Sequence, residues 1–280
     1  MSRLNKAARD LNTAINNYEF HGAVQILYHF FWDDFCDWYI ELSKAEVTAE
    51  QESAARTEAR TRLLTVLEQA LRLLHPFMPY ITEELWQRLP GEKQLHTVYA
   101  GAEPTVMLTT YPQGAAELID EAAESEMQAI IELISRVRNI RSEMNIKPGE
   151  RIPVMVGSPD ENLRQVFSAA RDQISRLVRA SDVSVTERLD APKASARAVL
   201  TGGAELAVPL EGLIDFEQER RRLQREQEKL NAEAAKLEAQ LGNPNFVSRA
   251  PAERVNEVRA RIADIAQQTS QLQQTVENLQ

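Results

Sequence analysis

A seven-residue apolar repeat in the last part of the chain constrains the fold more than any other sequence feature. It falls into two blocks: Phe216, Leu223, Leu230 and Leu237, with Ala234 and Leu241 in the other seam row, and then Val258, Ile262, Ile265, Thr269, Leu272, Val276 and Leu279. Heptad spacing predicts two helices that bury these seams in a coiled coil. The segment from Gly242 to Pro251 combines a helix stop, a turn and a restart. So short a break predicts an antiparallel hairpin within one chain, over 213–280.

The first half of the chain has the periodicity of a helical bundle. Five segments carry apolar residues at helical spacing: Leu4 to Tyr18, His21 to Leu42, Ala54 to Leu74, Pro79 to Leu89 and Ile119 to Met144. Pro79 suits the first position of its helix, and Pro90-Gly91 stops that helix. We therefore predict a bundle over 1–148, in which 91–118 form an irregular connection.

Two of these helices hold most of the aromatic residues, and α-helical spacing predicts which side chains are buried. In the second helix the predicted buried stripe is Val24, Leu27, Tyr28, Phe31, Phe35, Trp38, Tyr39 and Leu42. In the fourth helix it is Ile81, Leu85, Trp86 and Leu89. Aromatic side chains also stack on unpaired RNA bases, which makes candidate platforms of Trp32, Trp38, Tyr39 and Trp86. Their spacing beside Leu and Phe favours the core for all four.

Two polar features of the bundle resemble reactive sites, and both have a simpler interpretation. His75 has no second His or Cys at ligand spacing, so we interpret it as a capping or packing histidine. Asp33, Asp37 and Glu41 recur at i, i+4 and i+8 of a helix. That spacing indicates a solvated face, or partners for arginines of a neighbouring helix, rather than a metal site.

A small mixed module follows Pro148-Gly149. The runs Ile152 to Val156, Val183 to Glu187 and Ala196 to Leu200 have strand character, and a helix is predicted from Asn162 to Val178. Gly202-Gly203 predicts a tight turn into Ala204 to Val208 and is weak as a phosphate-binding signal. We predict a βαββ module over 149–212 that aims the hairpin, so the fold class is mainly α with one small α/β module.

Composition bounds the function classes. The formal net charge of -10 argues against a generic nucleic-acid binder, because phosphate binding depends on Lys and Arg, so any RNA contact must come from local basic patches. The single cysteine, Cys36, excludes an internal disulfide framework and fits a reducing cytosol. No apolar run is long enough to span a bilayer. We expect a cytoplasmic protein.

Two groups of cations are candidate phosphate contacts. The first closes the bundle and consists of Arg136, Arg138, Arg141 and Lys147, with Arg151 beyond it. These cations also suit a solvated helix end, where they complement the helix dipole. The second group lies at the root of the hairpin, where its first helix begins, and consists of Arg220, Arg221, Arg222, Arg225 and Lys229. The returning helix adds Arg254, Arg259 and Arg261. The alternative for this group is ordinary coiled-coil flanking charge paired with Glu217, Glu219, Glu226 and Glu228.

Four segments resemble one known family. Phe35 to Leu42 and Leu74 to Leu89 resemble the anticodon-binding helical domain of the class I valyl, isoleucyl and leucyl tRNA synthetases. Arg138 to Lys147 looks like the stretch that closes this domain, and Asn243 to Ala252 looks like the hairpin tip of the bacterial valyl enzymes. The resemblance runs from Ser2 to Gln280 and leaves no room for the family's catalytic or editing domain. Neither ATP-site signature of class I synthetases is present.

The resemblance implies a tRNA-recognition module. Its helical bundle contacts the anticodon, and its C-terminal hairpin, which we call the arm, contacts the outer corner of tRNA. Its expected contacts are Arg136, Arg138, Arg141, Lys147, Arg220, Arg222, Arg225 and Arg254. It implies that the partners are valine tRNA and the missing catalytic and editing domains, and that the protein is a monomer. It implies no catalytic, metal-binding or cofactor-binding residues in this chain, because ATP binds to the full enzyme. We expect the chain alone to be inactive. The alternative from another class is a protein–protein adaptor whose coiled coil dimerises or holds a partner helix without binding RNA.

Overall fold

A computed structural model describes residues 1–90, 105–213, 216–242 and 252–278; in the last two ranges the side chains of 216–223, 226, 252–253, 271 and 274–278 fall outside the description. The chain divides into two compact units, Met1–Met127 and Gln128–Gln280. We call them the helical unit and the mixed unit and treat each by itself. The division into domains 1–148, 149–212 and 213–280 stays a prediction.

Helices build the helical unit, as predicted. Their bounds are α1 Ser2–Asn16, α2 Phe20–Tyr28, a π-helical segment His29–Ile40, α3 Glu41–Val47, α4 Ala54–Leu74 and α5 Pro79–Gln87, followed by two 3-10 turns, Val106–Leu108 and Ala116–Leu118. Helix α6, Glu121–Glu143, starts in this unit and ends in the next. Local chemistry sets the helix starts: the Ser53 hydroxyl accepts the Arg56 N–H at the start of α4, and Pro79 opens α5. The predicted connection 91–118 lies partly outside the described residues.

The π-helical segment overturns part of the predicted buried stripe. Phe30, which α-helical spacing leaves off the stripe, is buried, and the next buried residue of the segment is Phe35, five positions later. Five-residue spacing is what i→i+5 hydrogen bonding puts on one face. Val24 and Tyr28, both predicted to be buried, are 51% and 57% exposed. Both lie in α2, before the π-helical segment, where Ala23 and Leu27 are buried instead. The prediction was wrong for these two because it drew one α-helical stripe from His21 to Leu42, whereas the π-helical segment shifts the buried face between its two ends.

The acidic run on this segment is paired locally. Asp33 Oδ2 lies 2.7 Å from His29 Nδ1, and Lys44 Nζ donates to Glu41 Oε1 at 3.2 Å. Both partners belong to the same continuous helical stretch, so Asp33 and Glu41 fit the solvated-face alternative rather than arginine partners on a neighbouring helix. Asp37 is exposed, which agrees with a solvated face.

Helix α5 is rotated relative to the prediction. Ile81 and Leu85 are 52% and 46% exposed, whereas Thr82 and Trp86 are almost completely buried. The reason is that both buried side chains find polar partners inside: Thr82 Oγ1 lies 2.8 Å from Nδ1 of His75, and Trp86 Nε1 donates to Glu68. The predicted packing role of His75, which caps the end of α4, is confirmed.

A buried ion pair holds α4 to the segment that follows α5. Glu68 is fully buried; Arg72 Nη2 donates to one of its carboxylate oxygens at 2.9 Å and Trp86 Nε1 to the other at 3.0 Å. Arg72 Nη1 also donates to the carbonyl of Thr110 at 2.8 Å. Beside it, the Tyr111 hydroxyl donates to the carbonyl of Leu73, and burial raises the pKa of Tyr111 to about 12. These directional hydrogen bonds fix the positions of α5 and of residues Thr110 and Tyr111 relative to α4.

The mixed unit contains one more strand than the predicted βαββ module. Its elements are β1 Ile152–Gly157, α7 Glu161–Ala169, α8 Arg171–Val178, β2 Ala180–Thr186, β3 Ser195–Val199 and β4 Glu205–Pro209. The strand order is β2-β1-β4-β3, with β1 and β2 parallel and the other pairs antiparallel. The predicted single helix is two helices, because the backbone at Ala170 turns to ψ 6°. The predicted turn is confirmed: Gly202 and Gly203 take positive φ values between β3 and β4.

The C-terminal helices form the predicted hairpin. They are α9 Phe216–Leu241 and α10 Ala252–Asn278, and they pack against each other. Arg261 Nε donates to Glu233 at 2.9 Å. These residues lie at nearly equal distances from the connection, which is the register of an antiparallel pair. Val258 and Ile265 are buried as predicted, and Val255, which the predicted seam omits, is buried too. The predicted tip, 243–251, and the seam positions Phe216, Leu223, Val276 and Leu279 lie outside the described side chains.

The seam predicts the stability of the hairpin. Ile265→Ala should destabilise it by about 2 to 5 kcal/mol, the range for a fully buried isoleucine. Leu230→Ala should cost less, since Leu230 is half-buried. Hydrogen exchange of the α9 and α10 amides measures both changes. A larger loss for Leu230→Ala than for Ile265→Ala would contradict the seam described above.

Candidate nucleic-acid interface

The net charge of the chain is confined to one unit. The helical unit has 10 Lys and Arg against 20 Asp and Glu, whereas the mixed unit has 22 of each. The helical unit therefore carries the whole net charge of -10. Phosphate binding needs cations, and net negative charge repels phosphates. A polyanion is therefore repelled less by the mixed unit than by the helical unit.

The first predicted cluster lies at the end of α6 in the mixed unit. Arg136, Arg138 and Lys147 are exposed, whereas Arg141 is half-buried. Arg141 donates to three backbone carbonyls, those of Val178 at 3.3 Å and of Lys147 and Glu150 at 3.0 Å. Arg141 thus holds the loop that presents Lys147, and fewer of its donors remain for a phosphate.

Arg179 belongs to the same cluster, although sequence reasoning missed it. Its Nη1 donates to the carbonyl of Pro148 at 2.9 Å, so two arginines clamp the loop 147–150 from different elements. Burial, followed by the neighbouring charge of Arg179, lowers the pKa of Arg141. Arg179 lies far from Arg141 in sequence and comes near only because β1 and β2 pair in parallel. The one local signal is its left-handed backbone, φ 54°, which the sequence does not reveal.

The second predicted cluster is spread along the arm rather than gathered at its root. Arg225 is exposed on α9, and Arg254 is exposed at the start of α10, where Nη1 donates to Glu257 at 2.6 Å. Given the Glu233–Arg261 register, Arg254 lies about 22 Å along the hairpin from Arg225. The role of these cations in tRNA binding stays a prediction. Arg220, Arg221 and Arg222 lie in α9, but their side chains are outside the described set.

The flanking-charge interpretation holds for one of these arginines at least. Arg261 donates to Glu233 and also to Asp264 at 2.6 Å. The hydrogen bonds from Arg261, together with its charge, lower the pKa of Glu233 against the opposing effect of burial. Arg259, Lys229 and Lys236 are exposed. The glutamates proposed as partners for the root cluster, apart from exposed Glu228, fall outside the described side chains.

The four candidate base platforms separate into two classes. Trp86 is fully buried, and Trp38 and Tyr39 are half-buried, so the core prediction is confirmed for Trp86. It was wrong for Trp32, which is 54% exposed and stacked on Tyr28 with ring centroids 6.4 Å apart. Its position off the predicted stripe, rather than its aromatic character, indicates the exposure.

No helix in the described ranges has both the length and the apolarity needed to cross a bilayer. In the same ranges no group of three or more His, Cys, Asp or Glu side chains is placed to hold a metal ion.

Comparison with known proteins extends over both units. Residues 1–156 match the family described as the anticodon-binding domain of tRNA ligase, and residues 215–280 match the valyl tRNA synthetase tRNA binding arm. The valine–tRNA ligase of Geobacillus stearothermophilus is 38% identical over 264 residues, which is 94% of this chain and 29% of that protein. Those of Syntrophotalea carbinolica and Thermotoga maritima are 37% and 36% identical over 100% of this chain and 30% of their own length. The chain thus spans about 30% of the length of these relatives.

Proposed function

Because the chain belongs to the valyl-tRNA synthetase family and carries its anticodon-binding domain and tRNA-binding arm, we propose that it recognises valine tRNA for a ligase whose chemistry resides outside these 280 residues. In this proposal the protein acts in the cytoplasm as a monomer. It needs no cofactor of its own, and we expect no valine-dependent ATP–pyrophosphate exchange by the purified chain.

The charge partition is the observation that supports this proposal. A neutral mixed unit with exposed Arg136, Lys147, Arg225 and Arg254 can take phosphates at several points, while the acidic helical unit repels misplaced backbone. Phosphate contacts would then position the RNA, and a few contacts to unpaired loop bases would specify it.

The arm also bears on the adaptor alternative. An adaptor coiled coil must offer an open seam to its partner. Here Val255, Val258 and Ile265 are buried within the chain's own hairpin. A second helix would have to displace α9, so the seam favours RNA recognition over partner binding.

A binding titration tests the proposal. Valine tRNA and a non-cognate tRNA are titrated into the chain at about 50 and 200 mM salt. If about six cations contact phosphates, affinity should fall about a thousandfold between these conditions. Valine tRNA should bind more tightly than the non-cognate tRNA. Binding that is independent of salt, or no stronger than to single-stranded DNA of equal length, would reject RNA recognition.

A further inference from the structure

A line of four exposed aromatic side chains and one valine begins just before α2 and continues into the π-helical segment. We define the aromatic ridge as Tyr18, Phe20, Val24, Tyr28 and Trp32, which are 81%, 56%, 51%, 57% and 54% exposed. The last four recur every four residues and span about 18 Å, or three helical turns. The rings are ordered against one another: Tyr28 stacks on Trp32, and Tyr18 meets Phe20 edge-on at 6.3 Å.

The ridge is too large to be an ordinary scatter of surface apolar groups. With more than half of each aromatic side chain exposed, it presents on the order of 500 Å² of apolar surface. The largest apolar patch of a typical monomer measures roughly 300 to 600 Å² and is often functional. Burial of such a surface on contact is strongly favourable, so the ridge is equipped to bind a partner.

Tyr18 is held on the ridge against its backbone preference. Helix α1 ends with two hydrogen bonds, from the N–H of Glu19 to the carbonyl of Ala14 and from the N–H of Tyr18 to that of Ile15. This is the Schellman ending, in which the residue at the position of Tyr18 adopts a left-handed backbone and is usually glycine. Tyr18 adopts φ 61° there. A large aromatic residue in a glycine position, almost fully exposed, suggests that its side chain serves contact rather than folding.

The charges around the ridge disfavour RNA. From Leu11 to Ser43 the sequence has no Lys or Arg and five Asp or Glu residues. On the neighbouring α1, Arg3 and Lys6 pair with Glu124, and Arg9 pairs with Asp10. A nucleic acid stacked on the ridge would bring phosphates toward unpaired carboxylates such as Glu19 and Asp37 without cations to receive them. A second copy of the ridge is disfavoured for the same reason, because two acidic rims would face each other.

We propose that the aromatic ridge docks an amphipathic helix with an apolar stripe and Lys or Arg flanks, supplied by the part of valine–tRNA ligase that these 280 residues do not contain. Side chains spaced four residues apart on one helix form a row that packs into the groove between such rows on a second helix. The relatives are about three times as long as the matched region, so they contain further polypeptide that could supply such a helix. Basic flanks complement Glu19 and Asp37, both exposed. The source of the helix rests on the proposed function, whereas the chemistry of the docking surface does not.

Peptides test the docking without any RNA. Overlapping peptides of about 20 residues, covering the part of the Geobacillus stearothermophilus enzyme outside the match, are titrated into the 280-residue chain. One basic amphipathic peptide should bind, as measured by the anisotropy of a fluorescent label on the peptide, and that peptide should gain helix on binding. Trp32→Glu together with Tyr28→Glu should weaken its binding at least 30-fold. The matched control Tyr80→Glu with Ile81→Glu, at exposed apolar positions of α5, should leave binding unchanged.

Tyr18→Gly separates docking from folding. Relief of the left-handed strain should raise the melting temperature by about 2 to 4 °C, while loss of the ring weakens peptide binding several-fold. A more stable protein that binds less well cannot be explained by unfolding. Absence of binding by every peptide overturns the proposal. So does a loss of valine tRNA affinity in the Trp32 and Tyr28 variant with peptide binding intact, which would identify an RNA surface, or a dimer that this variant dissociates. Failure of tRNA binding alone rejects the proposed function and leaves the docking result standing.

Discussion

Glu68→Ala should lower the free energy of unfolding of the helical unit by about 3 to 5 kcal/mol. The substitution removes the carboxylate that receives Arg72 and Trp86 and leaves the guanidinium buried without its counter-charge. Urea unfolding followed by tryptophan fluorescence measures the effect cleanly, because Trp32, Trp38 and Trp86 are the only tryptophans and all lie in the helical unit.

The chain supplies a matched control for this prediction. Glu84 and Arg88 form the same i, i+4 pair at the surface, with side chains 59% and 75% exposed. Glu84→Ala should change stability by less than about 0.5 kcal/mol, because solvent screens an exposed pair. Removing both buried charges with Glu68→Met and Arg72→Met should recover part of the loss. If Glu68→Ala and Glu84→Ala cost the same, the buried network does not stabilise the unit.

Replacing Arg220, Arg222 and Arg225 with Glu should weaken binding of valine tRNA about 100-fold at low salt. The slope of log affinity against log salt should become shallower by about 3, because each lost phosphate contact releases one counterion fewer. Most tRNAs should be affected alike, since the phosphates of the outer corner are common to them. Fluorescence anisotropy across a salt series gives both quantities.

The control for the arm carries the same change of net charge elsewhere. Lys44, Arg62 and Arg88 are exposed cations of the helical unit that pair with Glu41, Glu58 and Glu84. Their replacement by Glu should alter tRNA binding only weakly, through long-range repulsion. Equal losses in the two triple variants would mean that total charge, rather than contact with the arm, sets the affinity.

The hairpin and the short turn could be predicted because periodicity and backbone preference are local properties of sequence. Heptad spacing located Val258 and Ile265 in the seam, and Gly202-Gly203 located the turn between β3 and β4. The exposure of Val24 and Tyr28 could not be predicted, because the buried face of α2 is out of phase with the face beyond His29 and no local signal marks the change to i→i+5 hydrogen bonding between His29 and Ile40.

Orientation was also beyond a purely local reading. Helix α5 turns Thr82 inward because His75, from the preceding helix, is placed to meet it. Apolar spacing alone therefore favoured Ile81 and Leu85. In the candidate interface, Arg141 had the composition of a phosphate contact, and only the fold shows that its donors hold carbonyls of two distant segments. Tertiary partners decided both cases.

The antiparallel pairing of α9 and α10 has a consequence for how the arm attracts a polyanion. Each helix has a positive amino end and a negative carboxyl end, and pairing in opposite directions places unlike ends side by side at the root and at the tip. The two macrodipoles cancel at a distance, so the backbone gives the arm no electrostatic polarity of its own. The electrostatic field that an approaching phosphate meets is therefore set by the charged side chains. Moving a cation from one turn of α9 to another would move the site of attraction with it.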